Sequence, residues 1–105
     1  MDGKTTIKYL QTYIKENDYH PDLLKDYFLK LSEEVGELSR AMRKGLKAQS
    51  NNDIKGTIDE ELCDVIYYVL AIANIYDIDI EQVIKLKSEM NESRYYSKTK
   101  FEENR

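Results

Sequence analysis

Two short acidic clusters carry most of the chemistry available to this chain. Glu33-Glu34-Val35-Gly36-Glu37 and Glu61-Leu62-Cys63-Asp64 each set carboxylates three residues apart. On a helix that spacing puts them on neighbouring turns of one stripe. Acidic pairs on helices are usually solvated surface, and that is the default for Glu33, Glu60 and Glu61. Glu34 and Asp64 resist the default. Glu34 borders the apolar stripe Leu31/Val35/Leu38, with Gly36 leaving space beside it, and Asp64 lies among Leu62, Cys63, Val65 and Ile66. An unpaired aspartate in such a setting carries a large desolvation cost, so a cation is its natural partner. Oxygen ligands without His or Cys support select Mg²⁺ or Mn²⁺ over zinc.

The elements that must position these groups are helices. Thr5 is placed to cap a first helix in which Ile7, Leu10 and Ile14 recur at helical spacing before Asn17 and Asp18 end it. His20-Pro21-Asp22 punctuates the chain, with Pro21 in the first turn of a second helix. Leu24, Phe28, Leu31, Val35, Leu38 and Met42 then alternate steps of four and three, the seam of a helix packed along its neighbours. That pattern fades near Gly45, where Arg40, Arg43, Lys44 and Lys47 form a solvated, dipole-favoured basic end. After a polar loop from Gln49 to Gly56, Thr57-Ile58-Asp59-Glu60 is a capping box opening a third helix to about Tyr76. Asp77-Ile78-Asp79 breaks it, and Asp79 with Gln82 opens a fourth helix to about Tyr95, leaving 97–105 as a frayed tail. The third helix is apolar nearly all round from Leu62 to Tyr76. The expected fold is therefore an all-α, four-helix bundle completed by oligomerisation, because a second copy must cover what four helices cannot.

If the third and fourth helices form an antiparallel hairpin, Asp64 sits roughly 14 residues before the turn and Asn91 or Glu92 roughly as far after it, each arm about 21 Å. Lys87, Asn91 and Arg94 then form one cationic and amide row at the level of Asp64. Glu37 and the Glu61/Asp64 pair likewise fall within about a turn or two of each other across the second and third helices. Such a site suits a polyphosphate: Mg²⁺ bridges carboxylates and phosphate, while Lys and Arg hold the remaining oxygens. The chemistry is attack of water on phosphorus, with Glu33 as a spare carboxylate to accept the proton.

Composition bounds the alternatives. With 105 residues the chain has room for one domain, 1–105, and its formal charge of −4 argues against holding nucleic acid by its phosphates. The lone Cys63 forms no internal disulfide, is read as a small packed residue, and fits a reducing compartment. No signal peptide is evident at the N-terminus, and the longest charge-free run, Val65 to Tyr76, is too short for the roughly 20 residues of a bilayer span. A soluble, cytoplasmic protein with no membrane partner is expected.

The full motif, Glu33-Glu34-x-x-Glu37, then Glu61-x-x-Asp64, then Lys87-x-x-x-Asn91-x-x-Arg94-Tyr95, resembles the MazG-like all-α nucleoside triphosphate pyrophosphohydrolases over roughly residues 19–96. The resemblance implies a Mg²⁺-dependent enzyme, with Mn²⁺ a possible substitute, that cleaves a nucleoside triphosphate between the α and β phosphates into monophosphate and pyrophosphate in nucleotide-pool house-cleaning. It implies Glu34, Glu37, Glu61 and Asp64 as metal ligands, with Glu33 and Glu34 in the catalytic set. It further implies Lys87 and Arg94 at the phosphates, Asn91 near phosphate or sugar, and Tyr68 against the nucleotide. A homodimer or homotetramer is implied as well. Relatives often carry a tryptophan before the second helix for stacking on the base. This chain has no Trp, and Tyr19 sits nearest that place.

Tyr9 and Tyr13 fit core or interface better than a base pocket, and His20 fits a loop or cap. A substrate-restricted relative, acting on dUTP, dCTP or phosphoribosyl-ATP, shares the bond cleavage. A di-iron bundle would need Glu-x-x-His pairs, and the sole histidine has Asn17 three residues before it. A non-catalytic helical dimerisation module fits the heptad but has no use for Asp64 in an apolar helix.

Overall fold

The computed structural model describes residues 4–95, with side chains through Asn91, as α1 (Ile7–Asn17), α2 (Leu24–Arg43), α3 (Ile58–Ile75) and α4 (Ile80–Tyr95), plus a 3-10 turn at Pro21–Leu23. No strand occurs among the described residues, and the tail expected at 97–105 lies outside them.

Local chemistry sets each boundary. Thr6, one residue after the expected cap, starts α1: its hydroxyl accepts from the Tyr9 N–H at 3.0 Å. Pro21 opens the 3-10 turn that precedes α2, closed by Leu23 N–H donating to the His20 carbonyl at 2.8 Å. At the far end of α2, Leu46 N–H reaches the Ala41 carbonyl and Gly45 N–H the Met42 carbonyl. This double bond pattern requires a left-handed residue, and Gly45 supplies it at φ 64°. Thr57 caps α3 by accepting from Glu60 N–H at 3.3 Å. Glu60 reaches back to the Gly56 N–H at 2.8 Å, since the Thr57 N–H is already given to the Ile54 carbonyl. The same left-handed termination ends α3, with Asp77 at φ 57°, and Asp79 then caps α4 by accepting from Gln82 N–H.

α2 and α3 form an antiparallel hairpin, with Tyr27 beside Tyr68 and Glu34 beside Glu61. The core lies toward the C-terminal half of α3, where Ile14, Tyr27, Leu70 and Ala71 pack together and Ile7, Leu10, Ile72, Ile75 and Ile80 close around them. Each large side chain buried there contributes about 2 kcal/mol. The α2 seam is split: Leu24, Leu31 and Leu38 are half-buried, while Phe28, Val35 and Met42 remain exposed. Leu62, Ile66 and Val69 on α3 are exposed as well.

The expected hairpin of α3 and α4 does not form. α4 packs on α1. A buried polar clamp is the reason: Gln11 of α1, 6% exposed, donates to Asn74 Oδ1 and to the Ile78 carbonyl, and accepts from Ile80 N–H. Lys8 reinforces it, donating its N–H to Glu81 and its ammonium to Asp79. The first turn of α4 is thereby fastened to α1 and the rest is led away from α3.

Candidate metal centre

The α2–α3 hairpin assembles the acidic clusters. Glu34, Glu61 and Asp64 each bring a carboxylate oxygen within 4.8 Å of the other two. Glu34 and Asp64 are half-buried, whereas Glu61, a surface group by default and a metal ligand by the family resemblance alone, is only 7% exposed. Its Oε1 is enclosed and has no hydrogen-bond partner. Burial pushes the Glu61 carboxyl above the ordinary range, and the proximity of Glu34, then Asp64 and Glu37, pushes it further. Burial also raises Asp64, with Glu60 adding to the shift and Lys55 opposing it.

Three crowded carboxylates, one with an orphaned buried oxygen, have no ion-pair partner among the described residues, Lys55 acting on Asp64 only through its field. The donor set is all oxygen, so a hard divalent cation fits it. Glu37 stands outside the trio, 3.9 Å from Arg40, yet near enough for its charge to act on Glu61. Glu33 projects from the exposed side of α2 beside Lys30 at 3.7 Å. Among the described residues Gly36 makes no close approach: a Cβ there would meet nothing within 4 Å.

Tyr68, one turn after Asp64, is half-buried at the margin of this cluster. Burial raises its hydroxyl pKa, Lys30 opposes the shift, and Glu34, Asp18 and Asp64 add to it. Tyr19 is exposed, with the Lys15 ammonium 5.3 Å from its ring centre. Tyr9 and Tyr13 stack on each other along α1. Lys87 is exposed and Asn91 half-buried on α4, and among the described residues neither bonds to the carboxylates. The Arg94 side chain lies outside the described residues. Cys63 is exposed, not packed as expected.

Sequence reasoning missed the groups that flank the trio, Lys30, Lys55 and the Asp18–Tyr27–Tyr67 cluster. Lys30 was discoverable, being one turn before Glu34. Asp18 was visible only as a helix-ending residue, because its partners are distant in sequence.

A hairpin of helices that brings carboxylates from both arms within 4.8 Å of one another defines an all-helical class of protein with a candidate metal centre. The profile of the MazG nucleotide pyrophosphohydrolase domain matches residues 24–96, and the chain belongs to that family of hydrolases. Crystal structures of iMazG from Vibrio DAT 722 are similar to it. One with a C-terminal tag is 46% identical, with a TM-score of 0.80 over 84% of this chain and 99% of that one. Another, with an N-terminal tag, is 45% identical, with a TM-score of 0.81 over 89% and 100%. No curated protein matches the chain significantly.

Proposed function

We propose that this chain is a Mg²⁺-dependent nucleoside triphosphate pyrophosphohydrolase, releasing nucleoside monophosphate and pyrophosphate. The observation that carries the reading is the orphaned Glu61 oxygen, buried within reach of Glu34 and Asp64. Glu34, Glu61 and Asp64 would hold the ion, with Glu37 joining from the next turn of α2. A bound Mg²⁺ or Mn²⁺ supplies polarisation of phosphoryl oxygens and acidification of a coordinated water. Glu33, exposed and paired with Lys30 among the described residues, would swing in and accept a proton. Lys30 stands on the same side to hold a phosphate oxygen, and Tyr68 offers a ring to the nucleotide.

The protein works as a homo-oligomer in this reading. Leu62, Ile66 and Val69 of α3 and Phe28, Val35 and Met42 of α2 are exposed at helical spacing, and a second copy would cover such apolar stripes. With α4 held to α1, its Lys87, Asn91 and Arg94 row would serve the carboxylates of another copy.

The test is incubation with ribo-, deoxy- and modified nucleoside triphosphates, with and without Mg²⁺, and identification of products. Monophosphate plus pyrophosphate formed only with metal is the expected result. Release of orthophosphate, or turnover that survives chelation, would refute the reaction.

A further inference from the structure

Asp18 caps the C-terminal end of α1 and receives two phenol hydroxyls from two other helices. Tyr27 of α2 donates to its Oδ1 at 2.6 Å and Tyr67 of α3 to its Oδ2 at 2.5 Å. These are the lengths of charge-assisted O–H···O⁻ bonds. Both carboxylate oxygens are thus committed, with His20 3.7 Å from one of them. The bonds from Tyr27 and Tyr67 hold the Asp18 carboxyl below its ordinary range, and burial, then the bond to Asp18, raises Tyr27 to about 12. At neutral pH the cluster is therefore one carboxylate and two intact phenols.

The two rings so held are the walls against which Tyr68 rests. Tyr67 meets it edge-on, centroids 5.1 Å apart at 77°, and Tyr27 lies at 6.4 Å and 45°. The Tyr68 hydroxyl also lies in the field of Lys30, Glu34, Asp18 and Asp64. We infer that Asp18 is a positioning residue for nucleotide binding: by fixing Tyr27 and Tyr67 it sets the Tyr68 ring at the edge of the carboxylate cluster. The inference rests on the proposed nucleotide reading. It adds a residue from α1, outside both acidic motifs, to the determinants of substrate affinity. Both Asp18 oxygens are taken by Tyr27 and Tyr67 and Asp18 is not one of the clustered carboxylates, so its loss acts on binding and leaves the hydrolytic groups in place.

Two variants test it. Asp18→Asn keeps the size but loses one acceptor, and Tyr67→Phe keeps the ring while removing one hydroxyl, which leaves α1 packing intact. Each is expected to raise KM for the triphosphate by about five- to tenfold, with kcat within about twofold of wild type, the scale of one aromatic contact. Each is also expected to shift the Tyr68 ring resonances in a ring-¹³C tyrosine NMR spectrum, assigned with Tyr68→Phe. Folded variants that keep both KM and the Tyr68 resonances would overturn the inference, as would kcat falling in step with a lowered Tm at constant KM. If wild type binds nucleotide without turnover, the proposed reaction fails alone. The affinity of a non-hydrolysable α,β-methylene triphosphate and the same spectra then decide the role of Asp18, with weakened binding and shifted rings supporting it and unchanged values refuting it.

Discussion

α3 buries a polar side chain near each end, and the two are treated differently. Asn74, 8% exposed, has its Oδ1 filled by the Gln11 amide and its own amide given to the Gln11 carbonyl. Glu61, at 7%, is equally enclosed but faces other carboxylates with one oxygen unpaired. A buried polar group that serves the fold finds its partners inside the chain; one left unpaired among like charges lowers stability and needs a partner from outside. The Asn74 end determines where α4 goes, and the Glu61 end is poised for a cation.

The largest effect that would sharpen this contrast is on activity. Removing groups that merely support metal ligands typically costs 10- to 100-fold, so if Glu61 is a ligand as proposed, Glu61→Gln should cut the proposed Mg²⁺-dependent turnover by about 100-fold or more. The same change relieves crowding of like charges, so the metal-free variant should melt at or above the wild-type Tm. Mg²⁺ is expected to raise the Tm of wild type, and the variant should lose that rise. Melting curves in chelator and in excess Mg²⁺ check both points, and a variant that melts well below wild type in chelator would make Glu61 a structural group like Asn74.

Gln11→Leu probes the opposite end. The volume is nearly kept, but Asn74 Oδ1, the Ile78 carbonyl and the Ile80 N–H lose their common partner, which should cost about 2 kcal/mol by urea unfolding. The Mg²⁺ concentration for half-maximal activity should not move. A variant with wild-type stability would show that water replaces the amide and that the clamp does not direct α4.

Helix boundaries were legible because they are local: Thr57 with Glu60, Asp79 with Gln82 and the glycine after α2 act on backbone groups within a few residues. The meeting of Glu34 with Glu61 and Asp64 followed from the positions of the two acidic clusters near the facing ends of α2 and α3, which an antiparallel pairing brings to about one level. The direction of α4 was not legible, since it depends on Gln11, a residue that looks like ordinary surface until Asn74 meets it from the other end of the chain. For the same reason Asp64 drew attention by its apolar neighbours, while the deeper burial of Glu61 emerged only when α2 packed over it.

The smallest expected effect concerns Asp18, a third polar group, buried less deeply and fully paired. Its carboxyl is held below the ordinary range first by Tyr27 and then by Tyr67, so the ionised form is favoured in the folded state. The sign follows: Asp18 contributes stability above the unfolded-state carboxylate value of about 3.9, and that contribution is lost as pH falls through the lower folded-state value. Asp18→Asn removes it at every pH. Urea midpoints for wild type and Asp18→Asn should therefore differ by a constant amount near neutrality and converge as the pH is lowered below about 4. A gap that stays constant into acid would mean that Asp18 acts by shape and not by charge, and it would place the cluster with Gln11 and Asn74, whose hydrogen bonds do not titrate.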